Sequence, residues 1–189
     1  MKILILIFAL ISVTRAVTFN CTFEMSSNAN LPSTYACRPT LSNINESETL
    51  TAVYGTHMSG MSNTDVGYLL ILKVQSLTFF PNSIENFFPN LIAIEIGYCN
   101  ISNLNGHELD VFNNLTWFAF YLQPNLERIP GNLFANTPLV DLVWFSSNNI
   151  KHVGENFLTF LPLLTYADFA NNYCVNQFAT NSSQIPPLI

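Results

Sequence analysis

The sequence predicts an α/β-type solenoid: short parallel β-strands along a concave face, a mostly irregular convex side, and a cap closing the N-terminal end. Three observations lead there. An apolar pattern returns every 24 or 25 residues from residue 67 onward, Asn or Cys recurs at one place within it, and a stretch bearing Cys21 and Cys37 stands ahead of it without sharing the period. A period of roughly 20 to 50 residues marks a coil that cannot bury its own apolar face, so copies must stack to make a core.

The chain opens on MKILILIFALISVTRA, with one early Lys2, an apolar run from Ile3 to Val13, and small residues Thr14 and Ala16 at the minus-three and minus-one places of a cleavage. Residues 1–16 therefore read as a secretory signal peptide. The run falls short of the roughly 20 residues a membrane span needs. No other apolar stretch is long enough, so no membrane insertion of the mature chain is expected. The 189 residues are 49 % hydrophobic and only 10 % charged, which supplies a large core and leaves amides and hydroxyls to wet the surface. Losing Lys2 and Arg15 with the leader leaves four basic residues against twelve acidic ones, a net charge of −8. Such a surface excludes nucleic acid and anionic membrane as partners. Sequons at Asn20, Asn45, Asn100, Asn114 and Asn181 fit a secreted, extracellular glycoprotein.

Residues 17–66 read as the N-terminal cap. Cys21 and Cys37 lie close in sequence there and are the natural disulfide pair in an oxidising compartment. Within the same stretch ETLTAVYG, 48–55, alternates like a strand. A solenoid end exposes an apolar cross-section, and covering it is the economical role for this segment.

About five repeats fill residues 67–176. Their anchors are Leu77, Ile101, Leu126, Ile150 and Cys174, at steps of 24, 25, 24 and 24. Counting back, the places minus seven and minus five are expected to point inward: Leu70 and Leu72, Ile94 and Ile96, Ala119 and Tyr121, Val143 and Phe145, Ala167 and Phe169. The third repeat fits worst, and Leu115, Phe118 and Phe120 keep the apolar spacing if YLQPN carries one extra residue. Place minus two, where an amide turns the chain and bonds the next coil, reads Gln75, Cys99, Pro124, Asn148 and Asn172. Cys99 and Cys174 sit within the pattern and read as buried free thiols, unless Cys174 pairs with a residue beyond the sequence in hand. The second half of each repeat supplies Phe80, Phe88, Phe112, Phe134 and Phe157 as a spine behind the strands. Residues 177–189 are too polar and Pro-rich to continue the pattern and read as a tail or partial cap.

The spelling is that of the leucine-rich repeat, L-x-x-L-x-L-x-x-N/C-x-L. With the run ERIPGNLFANTPLVDL at 127–142 and the Cys21 and Cys37 cap, the five repeats resemble the extracellular Phe-rich leucine-rich repeat proteins of insects, which are similar to Toll-type and secreted immune ectodomains. The resemblance implies a leucine-rich repeat horseshoe that binds other macromolecules on its concave face.

By the period of two, the residues between the inward positions face outward on that side. They include Leu69, Ile71 and Lys73; Ala93, Glu95 and Gly97; Leu142, Trp144 and Ser146; and Tyr166, Asp168 and Ala170, with Trp117, Ala119 or Tyr121 from the irregular repeat. The candidate partner-binding residues are Glu95, Trp117, Tyr121, Trp144, Tyr166 and Asp168, since Trp and Tyr give large contact area with a polar handle. The alternative for Trp117 is a place in the core of an irregular repeat.

Enzyme motifs fail on inspection. GTHMSGMS, 55–62, puts Met61 where a phosphate-binding loop needs Lys, and HEL, 107–109, is followed by Val111 where a zinc helix needs a second His. No catalytic residue, metal or cofactor is expected. The function expected is a secreted recognition module for a protein or glycoconjugate, in innate immunity or cell-surface signalling by resemblance. The alternative is an extracellular structural or adhesion protein that self-associates as an oligomer.

Overall fold

The computed structural model describes residues 17–28, 30–44, 48–173 and 178–179. Residues 1–16, expected as a signal peptide, Cys174, the sequons at Asn45 and Asn181, and the rest of the tail lie outside the described residues. Strands β1 (Val17–Asn28) and β2 (Leu31–Ser42) form an antiparallel ribbon, and β3 (Leu50–Tyr54) lies parallel to β1. Five parallel strands follow: β4 (Tyr68–Leu72), β5 (Ala93–Gly97), β6 (Trp117–Tyr121), β8 (Leu142–Trp144) and β10 (Tyr166–Asp168). Between them, β7 (Arg128–Ile129) and β9 (His152–Val153) pair on the far side, and β11 (Phe178–Ala179) runs antiparallel to β10. The main sheet is ordered β11-β10-β8-β6-β5-β4-β2-β1-β3. The whole is a parallel-strand β-solenoid of about four turns, continuous with the N-terminal ribbon.

The ribbon forms because β1 alternates strictly. Val17, Phe19, Cys21 and Phe23 are buried, while Asn20 and Thr22 are exposed on the other face. Cys21 and Cys37 close a disulfide across it, with Cα atoms 5.3 Å apart. The loop after β3 returns over its inner face, where His57 stacks on Phe23 at 3.8 Å and its Nδ1 meets the Tyr35 hydroxyl at 3.0 Å.

In the solenoid, register settles which side chains point in. Leu69, Ile94, Phe118, Val143 and Ala167 are paired neighbours along one row, Ile71, Ile96 and Phe120 along the next, and all are buried in one core with Phe145 and Phe169. Two expectations are corrected here. In the first repeat Leu69 and Ile71 point inward while Leu70 and Leu72 belong to the open-face cluster, the reverse of the counted assignment. In the third, Phe118 and Phe120 are the inward pair, as the one-residue insertion requires. Behind them Phe134 and Phe157 meet at 5.4 Å and pack on the inward rings, Phe118 to Phe134 at 5.7 Å and Phe157 to Phe169 at 6.0 Å, while Phe80, Phe88 and Phe112 are buried in the same core. Each such ring, fully buried, contributes roughly 1.5–3 kcal/mol.

Each turn leaves its strand in the same way. Lys73, Tyr98, Leu122, Ser147 and Asn171 all have positive φ, between 53 and 61°. One residue later the side chain bonds the stack. Asn148 accepts the amide of Gln123 at 2.8 Å and donates to the carbonyls of Phe120 and Phe145, both at 2.8 Å. Asn172 accepts the amide of Ile150 at 3.1 Å, and Gln123, fully buried, accepts that of Ile101 at 3.0 Å. Cys99 occupies this place one coil earlier as a buried free thiol, its Sγ 3.4 Å from the Gly97 carbonyl, and burial raises its pKa. At this place the first repeat has Val74, and its side-chain bond to the next coil comes from Gln75, whose Nε2 donates to the Tyr98 carbonyl at 2.7 Å; in the third repeat Gln123 takes the role counted to Pro124. The extra residue of the first and third repeats sits between ladder and anchor, so counting back from the anchor misses by one.

The α/β label is corrected too. The described residues hold no α-helix, only short 3-10 turns at Asn63–Asp65, Ile84–Asn86 and Phe157–Phe160. The long segments between the parallel strands, such as 73–92 and 98–116, carry little regular structure, and their Phe side chains plug into the core from extended backbone and turns. Gly131 and Gly154 let two such segments touch, since a Cβ on either would overlap backbone of the other coil.

Candidate functional site on the open face

The open face is built from alternate residues of the parallel strands. One row runs Tyr68, Ala93, Trp117, Leu142, Tyr166, and the next Leu70, Glu95, Ala119, Trp144, Asp168. Small residues on β5 and β6 let large neighbours lie down over the sheet. A Cβ on Gly97 would come 2.5 Å from the Tyr121 ring, so glycine is what admits that ring.

Around Glu95 the face closes on itself. Its carboxylate accepts the hydroxyl of Tyr121 at 2.6 Å on one oxygen and that of Tyr68 on the other. Burial, and then the hydrogen bond and charge of Glu95, push both phenols well above their ordinary pKa, because losing the proton would bury a second negative charge beside the first. Trp117 meets Tyr68 edge-on at 5.4 Å and is only 2 % exposed. Leu31, at the tip of the ribbon, joins the same cluster, as do Leu70 and Leu142.

Toward β8 and β10 the face is more open. Trp144, Tyr166 and Asp168 are half-buried. Trp144 stacks on Tyr121 at 5.3 Å, and its Nε1–H is donated to the Ser146 hydroxyl. Asp168 accepts the Ala170 amide at 2.8 Å on one oxygen. Burial, with a smaller contribution from Asp168, raises the pKa of Tyr166.

Of the candidate residues, Glu95, Tyr121, Trp144, Tyr166 and Asp168 thus share one surface. Trp117 lies on the same face but is covered. Tyr68 was missed, because the first repeat was counted in the wrong phase. A signal existed: a small residue before an aromatic recurs as Gly67-Tyr68, Thr116-Trp117 and Thr165-Tyr166, always at the start of a strand. Among the sequons, Asn20 is exposed on the open-face side of β1, Asn114 is exposed ahead of β6, and the Asn100 side chain accepts from Asn125 at 2.6 Å.

The motifs set aside as enzymatic are structural. Glu108 accepts the Gly106 amide at 2.9 Å and His107 pairs with Asp110 at 2.8 Å, which makes HEL a tight turn that exposes His107 and buries Leu109. Among the described residues no group of three His, Cys, Asp or Glu could hold a metal ion, and no helix is long and apolar enough to cross a membrane.

These features define the molecule as a parallel-strand solenoid whose open face carries aromatics and two carboxylates. No protein-family model matches the chain, and no curated protein matches it in sequence. Among solved structures it is similar to a chain of the Toll–Spatzle complex, described as a molecular hub in Drosophila development and innate immunity. The TM-score is 0.53 at 14 % identity, over 69 % of this chain but only 18 % of that one. The likeness is one of fold.

Proposed function

We propose that this chain is an extracellular leucine-rich repeat recognition module that binds a protein partner across its open face. The observation that carries the reading is the Tyr121, Trp144, Tyr166 and Asp168 surface, half-buried aromatics beside an acid on a rigid sheet. Interfaces are anchored by such residues because they contribute large area with little loss of side-chain freedom. The fold likeness to a chain of the Toll–Spatzle complex supports a protein as the partner and immunity or development as the setting. A concave, horseshoe-like curvature, secretion, and glycan at exposed Asn20 and Asn114 belong to the same reading, which the Cys21–Cys37 disulfide supports.

The test is capture of a partner from haemolymph and cell-surface extract by the secreted protein, beside a Trp144→Ala/Tyr166→Ala variant with an unchanged fold by circular dichroism. A partner held by the parent and lost by the variant is the expected result. Equal retention removes the open face as the binding site.

A further inference from the structure

The two carboxylates of the open face differ in what they already hold. Both Glu95 oxygens are taken, one by each phenol. Asp168 has one oxygen on the Ala170 amide and none on a cation. Among the described residues no cation is offered to it. Arg38 pairs with Glu24 at 3.3 Å, Lys151 with Glu127 at 2.6 Å, and Lys73 lies over the Tyr98 ring at 6.0 Å. Arg128 is on β7, in the other sheet, and no Lys or Arg follows Lys151 to the end of the sequence.

Trp144 supplies the second half of the argument. Tyr121, on which it stacks, belongs to β6, whereas Asp168 pairs in register with Trp144 from β10, on the opposite side of β8. Trp144 and Asp168 are register neighbours on strands about 4.8 Å apart, so the indole and the carboxylate stand side by side on the open face, where one cation can meet both. An indole face attracts a cation through its quadrupole, and a carboxylate through charge-assisted hydrogen bonds.

Resting on the recognition reading above, we infer that the open face takes an Arg or Lys side chain from a basic segment of its protein partner, seated against Trp144 and Asp168. Arg suits the site better than Lys, because its planar guanidinium stacks on the indole while its edge meets the carboxylate. The acidic balance of the mature chain, four basic residues against twelve acidic, steers such a segment in.

The experiment uses the secreted chain labelled with nitrogen-15, whose two indoles report separately, titrated at low salt with an acetylated tetra-arginine amide and with its uncharged tetra-citrulline counterpart. The Trp144 indole resonance should move with tetra-arginine alone while that of Trp117 stays. Asp168→Asn, which keeps the oxygen that accepts the Ala170 amide, should weaken binding about tenfold, and added salt should weaken it further. Glu127→Gln, which removes a carboxylate away from this face, serves as the control and should change nothing. Equal binding by Asp168→Asn, or equal loss in Glu127→Gln, overturns the inference, as does an unmoved Trp144 resonance. A captured partner that is lost with Trp144→Ala yet held undiminished by Asp168→Asn would keep the open face as the binding site while removing the cation from it.

Discussion

On β4 and β6 the open face carries two wholly covered rings, Tyr68 and Trp117, whereas on β8 and β10 its aromatics are half-buried. In the first half Glu95 sits between two phenols, Tyr121 lies over Gly97, and Trp117 is almost wholly covered. In the second half Trp144, Tyr166 and Asp168 have the same residue chemistry but remain half-buried. The difference lies in what surrounds each acid. Glu95 has a tyrosine on each neighbouring strand within reach, whereas Asp168 has Trp144 and a backbone amide. Tyr and Trp on one sheet are thus wholly covered at Tyr68 and Trp117 and only half-buried at Trp144 and Tyr166.

The largest test of that contrast compares the two tryptophans. Trp117→Ala removes a covered ring and should destabilise by about 3–5 kcal/mol, the range for deleting a buried aromatic. Trp144→Ala should lose less, about 1–2 kcal/mol, since its ring is only half-buried. Urea denaturation of both variants measures the gap; similar losses would mean that the halves do not differ in packing. The unpartnered Nε1 of Trp117 adds a refinement: Trp117→Phe forfeits no hydrogen bond and should stay within about 2 kcal/mol of the parent.

The acid between the phenols comes next. Glu95→Gln keeps the shape but replaces two charge-assisted bonds by one neutral bond and a mismatched donor, so a loss of about 1.5–3 kcal/mol is expected. Alkaline titration sharpens the point. Tyr68 and Tyr121 are raised above the ordinary tyrosine pKa, so the folded chain holds its phenolic protons where the unfolded chain gives them up. Their contribution is therefore full below about pH 10 and declines as pH rises beyond it. Glu95 is the second cause of both shifts after burial, so in Glu95→Gln the folded chain gives up its phenolic protons earlier and the decline should level off at a lower pH. Unfolding free energies measured as pH rises beyond that point decide it, and curves that level off together would detach Glu95 from the phenols.

How much of this could be read beforehand depends on where the pattern had contrast. The anchors and the Phe spine were legible because polar residues frame them. The first strand was not: GYLLIL offers five consecutive apolar or aromatic residues after its glycine, so alternation is silent and only counting remains. Counting from the anchor then fails by one, since Gln75-Ser76 and Pro124-Asn125 each put two residues where the other coils have one. The ribbon had contrast that went unused, in the strict alternation Val17, Phe19, Cys21, Phe23. The Glu95 arrangement had no local signal at all. It depends on Tyr68 and Tyr121, 27 and 26 residues away, arriving on adjacent strands.

The smallest effect concerns what holds the half-buried Trp144 ring still. Trp144 gives its Nε1–H to Ser146, two residues along on the same edge, and Ser146 is itself buried. Removing that acceptor in Ser146→Ala leaves a donor near enough to solvent to find water, so stability should fall by only about 0.5–1 kcal/mol. The consequence for binding should be proportionately larger than for folding, because a ring free to rotate must be fixed again when a partner docks. A loss of about two- to threefold in tetra-arginine affinity, with a broadened Trp144 indole resonance, is the expected outcome. Unchanged affinity beside a broadened resonance would mean that stacking on Tyr121 alone orients the ring, and would move the source of order in the open half onto its boundary with the closed one.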